Sequence, residues 1–439
     1  MSIKKEKIVV VGSGVAGMYA ITKLVDNGYP PELISTIDAG KDPYKRLPQE
    51  VMKGAFGAGL FSDGKWVYLH NAIGGHLAKY TGEDKADKLM EETWNTLLRF
   101  HPEPSKVMFS NPIEEPQFIK PYFSLRMAPT YHIGTNYLHD LGKKWYDWLV
   151  DKGITFHWET TVQDVDFDKQ TISITQEIGM RIMASIKVSY DRLIFGTGKS
   201  GINLTQSLID KYDLKKEPKS VQVGVRMELP QKYTQKMLDV SYDFKLYRKP
   251  NDKVSLRTFC TNSKAAYVAE ENTYEMRSYN GHSFKQEEMV NNMNNFGIIM
   301  ELKGIDNPFE FQKQLVNKCQ HSGGGLYYSP NRKREPSLSA EGVKLNVTQL
   351  NNLDTFKDAY GDYAGYIIDF ISDLNKVFGF GDDYGIYIPE VKFLSEEVLV
   401  NYKDLSLVDY PNVHFVGDSL SSRGIAVSAC QGVLAVENL

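Results

Sequence analysis

An α/β fold built around a parallel sheet, with a second, α+β domain inserted into it, is predicted by three observations. A β-branched run, Ile8 to Val11, ends in Gly12-Ser-Gly-Val-Ala-Gly17 and opens directly into a helical pattern. A second such run, Val413 to Val416, ends in Gly417-Asp418 near the end of the chain and also leads into a helical pattern. Between them, residues 154 to 195 switch toward a period of two, as a β-meander does. The two ends therefore complete one sheet, and the middle of the chain is an excursion from it.

Ile8 to Val11 read as a buried parallel strand. Val15 to Asp26 form a helix with Met18, Ile21, Leu24 and Val25 on one face, stopped by Asn27-Gly28. The next strand, Leu33 to Ile37, ends in Asp38, roughly 20 residues after Gly17. Strand, glycine turn, helix, strand and acid in that order make a Rossmann-like nucleotide-binding unit. Its glycines bring backbone and a helix N-terminus to a pyrophosphate, and its acid accepts hydrogen bonds from the adenosine ribose. Together with the terminal Gly417-Asp418, the unit predicts a bound FAD. The glycine-rich stretch Gly54 to Lys65 is expected to lie as backbone against a ligand.

Helices are predicted over 83–100 and 136–152, and strands over 154–158, 161–167, 171–176, 183–190 and 192–195. The last strand returns to the nucleotide and enters Gly196-Thr-Gly-Lys-Ser-Gly201, a second literal match to the glycine pattern. Only a short helix, Leu204 to Lys211, follows it, with no clear second strand ending in an acid. The turn therefore reads as a cover for the FAD through Gly198, not as a second nucleotide fold. A phosphate-loop reading of Gly198-Lys-Ser200 fails because that motif needs glycine where Leu193 stands.

These elements divide the chain into a FAD-binding domain of three parts, 1–80, 126–220 and 381–439, interrupted by a helical excursion at 81–125 and a substrate domain at 221–380. A long helix of the substrate domain carries Ile367, Ile368, Ile371, Leu374 and Phe378 on one face. With 439 residues, 42% hydrophobic and 24% charged, the composition is that of a soluble globular chain. Its 51 basic and 55 acidic side chains give a net charge of −4 and no global attraction to nucleic acid or an anionic membrane. Three cysteines without a C-x-x-C, and no apolar stretch approaching the roughly 20 residues of a membrane span, lead to the expectation of a cytoplasmic protein without membrane attachment.

Catalytic candidates come from side-chain type. His282, in Asn280-Gly-His-Ser283, titrates near neutrality and can exchange a proton. Asn280 can position substrate, and Cys260 can act as a redox thiol. Each also has a structural reading, as a satisfied histidine, a turn residue and a small buried hydrophobe. His132 stands in the same position, and Cys430, among alanines and valines, reads as packing. No metal site is expected, since no His/Cys ligand spacing occurs. Arg332-Lys-Arg334, after Tyr327-Tyr328, is either a solvated loop or a basic and aromatic patch suited to single-stranded nucleic acid or a small anionic substrate, which keeps nucleic acid open as a partner.

Several segments resemble the FAD-dependent dehydrogenases, a branch of the flavoproteins with the glutathione-reductase type of FAD domain. They are GSGVAG at 12–17, Phe61-Ser-Asp-Gly-Lys65, Ile73-Gly-Gly-His-Leu77, His132-Ile-Gly-Thr135, Gly198-Lys-Ser-Gly201, Arg257-Thr-Phe-Cys260, Asn280-Gly-His-Ser283, Pro389-Glu-Val-Lys-Phe393, and Gly417-Asp418 with Ser422-Arg-Gly-Ile425. They follow one another along almost the entire chain. Lys199 departs from the family's arginine, keeping the charge and losing the planar fork.

The resemblance implies FAD pyrophosphate over Gly12, Gly14 and Gly17 with Val15 and Ala16 between them, and the adenosine ribose on Asp38. It implies adenosine phosphates within reach of Arg46, flavin near Gly417 and Asp418, and a helix opening at Arg423, Gly424 and Ile425 beside the flavin pyrimidine. The function expected is hydride transfer between flavin N5 and a small organic substrate, with NAD(P)H left open as electron donor. The alternatives are a flavoenzyme acting on an amine or on a nucleobase in nucleic acid, and a flavin-binding protein without catalysis.

Overall fold

The structure, a computed structural model, describes residues 6–47, 52–62, 64–69, 77–110, 114–126, 129–178, 181–182, 186–217, 220–273, 276–284, 287–392, 396–421 and 424–439. The chain forms two compact units, one of Met1–Phe109, Thr130–Glu217 and Leu394–Leu439, the other of Ser110–Pro129 and Pro218–Phe393. No helix among the described residues is long and apolar enough to cross a membrane.

The first unit is built on a five-stranded parallel sheet. Its strands in chain order are β1 (Ile8–Val11), β2 (Ile34–Ile37), β3 (Thr155–His157), β4 (Arg192–Phe195) and β5 (Val413–Phe415), and in space they run β5-β4-β1-β2-β3. Every side chain of β1 is buried, the pattern of a parallel strand covered on both faces, which is why its sequence is an unbroken β-branched run. Helix α1 (Val15–Asp26) packs on α4 (Ile425–Leu434) so closely that a Cβ at Gly432 would lie 2.0 Å from the Ala16 carbonyl oxygen. Helix α2 (Glu83–Phe100) joins this layer through the Tyr19 hydroxyl, which donates to the Thr93 carbonyl at 2.9 Å. Helix α3 (Thr135–Asp151) joins it through the Trp145 indole N–H, which donates to Thr22 Oγ1 at 2.8 Å.

The meander occupies Thr160–Asp166, Thr171–Ile178 and Ile186–Ser189 as antiparallel neighbours. The strand expected at 154–158 is present as β3, but it belongs to the parallel sheet, paired with β2. It is an edge strand with exposed Thr155 and His157, so it alternates like a half-solvated strand while pairing in parallel.

The second unit carries an eight-stranded sheet in the order Val347–Leu350, Gly325–Tyr328, Gly385–Val391, Val221–Pro230, Met293–Leu302, Val254–Lys264, Leu246–Arg248, Ser124–Leu125. Its neighbours are antiparallel except for the first pair. Helices Pro308–Cys319, Asp354–Tyr360 and Ala364–Phe378 share its apolar core, with Ile367, Phe370 and Leu374 fully buried. A hairpin, Ala266–Thr273 with Met276–Ser283, packs on the central strands.

The division differs from the sequence expectation at both borders of the inserted segment. Residues 81–125 do not stay together: α2 belongs to the first unit, while Leu125 pairs with Leu246 in the second. The second unit also runs past 380, because Gly385–Val391 is one of its inner strands. Both borders depend on strand partners distant in sequence, which periodicity within a window cannot see.

Candidate nucleotide site

Three glycines of the turn between β1 and α1 do three different things. Gly12 has φ +94°, and a Cβ there would lie 2.3 Å from the Gly196 carbonyl oxygen. Gly17 sits where a Cβ would lie 2.0 Å from the Gly12 carbonyl oxygen, so helix and turn close on each other only through glycine. Gly14 is the N-cap of α1 and brings no capping side chain, and a Cβ there would meet nothing within 4 Å. The start of α1 is thus tightly built from behind and open in front, with the positive end of the helix dipole facing the opening.

The opening lies at the point where the strand order reverses. From β1 the chain steps outward to β2 and β3 on one side and then crosses to β4 and β5 on the other. Open parallel sheets bind ligands beyond the carboxyl ends of the strands at such a switch point. A cavity of about 230 Å³ sits there, lined by Gly12, Asp38, Lys53, Thr161, Thr197 and Asn203 among others. It is smaller than the ~300–1,000 Å³ of typical ligand pockets, so it suits one moiety of a dinucleotide rather than the whole.

Asp38 reaches this cavity, as the sequence spacing places it, and its carboxylate accepts four protein hydrogen bonds. Oδ2 takes Ser13 N at 2.8 Å and Ser13 Oγ at 2.7 Å, and Oδ1 takes Gly40 N at 2.7 Å and Gly54 N at 2.9 Å. Arg46, almost fully buried, donates through Nη1 to the carbonyls of Ala55 and Gly57, the latter at 2.8 Å, and lies over the Phe61 ring. The glycine-rich stretch after Gly54, expected against a ligand, meets protein backbone at Gly54 and Phe56. A Cβ at Gly54 would stand 2.5 Å from the Lys41 carbonyl oxygen, and Phe56 N donates to the Ser13 carbonyl at 2.7 Å.

The turn after β4 covers the glycine turn from the other side. Gly196 N donates to the Val11 carbonyl at 2.8 Å, Thr197 N to Ser419 Oγ at 3.1 Å, and Gly198 holds φ +61°. After β5, Gly417 takes φ +63° and its N–H donates to the buried Gln431 Oε1 at 2.7 Å. Asp418 continues in the short 3-10 turn Gly417–Leu420. Gly424, φ +102°, and Ile425 open α4 as expected, while Arg423 lies outside the described residues.

The catalytic candidates fall in the second unit. Asn280 and His282 are in the strand Met276–Ser283 of the hairpin, not in a turn: Asn280 pairs with Ala269 and His282 with Tyr267. Cys260 has φ +50° at an irregularity of Val254–Lys264. Arg226, 0% exposed, ties two of the three together. Its Nη1 donates to the Cys260 carbonyl at 3.0 Å and its Nη2 to Asn280 Oδ1 at 2.9 Å, while its Nε is 3.4 Å from Glu390 Oε2. Lys392 stands 3.0 Å from the other oxygen of Glu390.

Sequence reasoning missed Arg226, whose signal is a lone charge inside the apolar run Val221-Gln-Val-Gly-Val-Arg-Met227. Ser13 and Gln431 had no signal by type, since Ser13 serves the distant Asp38 carboxylate and Gln431 the backbone N–H of Gly417. Burial pushes the thiols of Cys319 and Cys430 up to about 12, which makes both poor nucleophiles at neutral pH. Cys430 packs beside Thr93, the role its sequence context gives it. In the basic run, Arg334 is held by Asp383 at 2.8 Å and lies 3.7 Å from buried Glu228, which leaves Arg332 and Lys333 as its exposed cations.

No family model matches the sequence, and no curated protein matches it. Among solved structures the chain is similar to CmlS, a flavin-dependent halogenase, at 11% identity and a TM-score of 0.41, covering 99% of this chain and 56% of that one. It is similar to CtdE in complex with FAD at 8% identity and a TM-score of 0.36, over 98% of this chain and 83% of that one. A flavoprotein/dehydrogenase from Cytophaga hutchinsonii matches at 12% identity and a TM-score of 0.35, over 98% of this chain and 78% of that one. The chain spans little more than half the length of the CmlS chain, 56%.

Proposed function

We propose that this chain is an FAD-dependent oxidoreductase whose first unit holds the dinucleotide at the start of α1. The observation that carries the reading is the open N-terminus at Gly14 beside a cavity at the sheet's switch point. The residues fit the group: Gly12 and Gly17 exclude side chains from the turn, and Gly14 leaves the space in front of the helix clear for a pyrophosphate. Backbone N–H groups of Gly14, Val15 and Ala16 would hold the phosphates, and the cavity by Asp38 and Thr161 would take the nucleoside end. Gly417, Asp418 and the start of α4 at Gly424 and Ile425 would hold the flavin end, where a helix N-terminus favours negative charge.

Bound FAD supplies hydride exchange with a small organic substrate, in the dehydrogenase direction from a C–H bond next to a hydroxyl or amine. Asn280 has its amide oxygen engaged by Arg226 and by Gly281 N, and Cys260 joins that cluster through its carbonyl. We assign His282 as the acceptor of the substrate proton, on its chemistry.

Gly14→Ala tests the cofactor reading directly. Gly14 has φ −63° and open space around it, so alanine costs the fold about 1 kcal/mol or less through weaker capping. The same methyl stands where the phosphates are proposed and lowers FAD affinity at least tenfold, read by quenching of flavin fluorescence. FAD that fails to bind the wild-type chain, or binds Gly14→Ala as tightly, sinks the proposal. An anaerobic spectrum of the loaded protein with NADH or NADPH then separates a nicotinamide-driven enzyme, whose flavin band bleaches, from one reduced by its organic substrate.

A further inference from the structure

Asp38 and Arg46 are the two side chains whose charge and position point most directly at a bound nucleotide, yet both spend their visible hydrogen bonds on the chain itself. An ionised carboxylate offers about four lone-pair positions, and Asp38 fills that number with Ser13 N, Ser13 Oγ, Gly40 N and Gly54 N. Arg46 meets the same loop from its other polarity, donating to the carbonyls of Ala55 and Gly57. One residue holds an N–H of the loop and the other holds its C=O groups.

What they hold is the loop that packs against the glycine turn of the proposed nucleotide site. The loop meets the turn after β2 so closely that a Cβ at Gly40 would lie 2.3 Å from Gly54 N. A Cβ at Gly57 would lie 3.4 Å from the Cα of Gly14, the residue at the open start of α1. Ala55 N donates to the Lys41 carbonyl at 3.1 Å, and Phe56 N to the Ser13 carbonyl at 2.7 Å. Phe56 itself takes a left-handed φ of 60°, an uncommon conformation for a bulky side chain that must be over-determined by its surroundings.

We propose that Asp38 and Arg46 are positioning residues: they clamp the Gly54–Phe61 loop onto the glycine turn, and Asp38 does not select the adenosine ribose by its 2′-hydroxyl. The ligand in this inference rests on the FAD reading; the clamp itself does not. With Asp38 saturated, recognition of the nucleoside falls to the cavity wall at Lys53, Thr161 and Asn203.

The test uses the full chain, FAD and its 2′-deoxyadenosine analogue, and the variants Asp38→Asn and Arg46→Lys. A hydroxyl bonded to a charged acceptor is worth about tenfold or more in affinity. The clamp predicts that wild type binds the two nucleotides within about threefold of each other. Asp38→Asn keeps one acceptor oxygen and turns an amide N–H₂ toward two donors, so it weakens both nucleotides alike, by about tenfold. In the ligand-free protein it also speeds amide exchange about tenfold or more at whichever donors the new N–H₂ faces, Ser13 N or the pair Gly40 N and Gly54 N, because their acceptor is gone. Arg46→Lys loosens the carbonyl side and speeds exchange at Gly54 with Asp38 intact, which keeps a readout if Asp38→Asn does not fold.

A wild-type preference for FAD of tenfold or more that Asp38→Asn abolishes would overturn the inference. Unchanged exchange at all of Ser13, Gly40 and Gly54 in the variants would overturn it too. If wild type binds neither nucleotide, the FAD proposal falls by itself, and exchange in the ligand-free protein still decides the clamp.

Discussion

Gly14 and Gly281 mark opposite extremes of packing around polar groups. A Cβ at Gly14 meets nothing within 4 Å, whereas one at Gly281 would lie 2.1 Å from Asn295 Oδ1, 2.4 Å from Asn262 Nδ2 and 2.8 Å from Arg226 Nη2. In the first unit, backbone and one carboxylate satisfy each other behind the turn and leave open space in front. In the second, polar side chains crowd against each other in the middle of a sheet and leave no room for a methyl. The lesson is that buried charge and functional opening are separate properties. Arg226, Glu390 and Lys392 form a packed, largely buried cluster, while the open polar site at the start of α1 is made of glycine backbone.

Arg226→Met is expected to have the largest effect. It removes the donors to the Cys260 carbonyl and Asn280 and leaves Glu390 buried with Lys392 as its remaining cation. Breaking a buried pair from one side costs about 3–5 kcal/mol, because the surviving group stays desolvated. Urea unfolding measures it. A loss below about 1 kcal/mol would mean the cluster is loosely held and has room for a ligand, which would erase the contrast with the glycine turn.

Gly12→Ala comes next, at about 3 kcal/mol: its methyl would sit 2.3 Å from the Gly196 carbonyl oxygen at φ +94°. Set beside Gly14→Ala, it sharpens the comparison within a single turn. The first change should lower stability together with FAD binding, and the second should lower binding alone. Equal melting temperatures for the two would show that the turn relaxes, and that glycine there serves the ligand rather than the packing.

The unit of β1, glycine turn, α1 and β2 was legible because its signals are local. A β-branched run, glycines at fixed spacing and an acid after the next strand all fall within one window, and the backbone conformation at Gly12 and the close approach at Gly17 allow little but glycine. The meander was legible by its period for the same reason. What the sequence could not display was the use to which an atom is put. Asp38 stands at the predicted place with its oxygens turned to Ser13, Gly40 and Gly54, and Cys260 enters its cluster through a carbonyl rather than a thiol. Asn280 and His282 read as a turn because Asn-Gly favours one, and tertiary packing made them a strand of a hairpin. The domain borders were hidden by pairings such as Leu125 with Leu246, which no local pattern encodes.

The smallest expected effect belongs to His414, fully buried in β5 and held by two partners. Arg192 Nη1 lies 3.0 Å from its Nε2, and arginine only donates, so Nε2 is the acceptor and Nδ1 carries the proton. Nδ1–H then donates to the Asp404 carbonyl at 2.8 Å, and both nitrogens are satisfied by the neutral ring. Burial first, and the Arg192 charge after the opposing carbonyl bond, hold its pKa below the ordinary 6.5. The unfolded chain therefore binds more protons than the folded one between the folded pKa and 6.5, so stability rises with pH across that interval. The contribution is complete above the unfolded value and is lost as pH falls through the folded one. Its slope cannot exceed about 1.4 kcal/mol per pH unit for one proton. Replacing His414 with Asn, which keeps an acceptor and a donor, should cost stability at neutral pH and flatten the acid limb between wild type and variant in urea titrations. An unchanged limb would place the acid sensitivity of the parallel sheet in some other group and show that the Arg192–His414–Asp404 chain opens without cost.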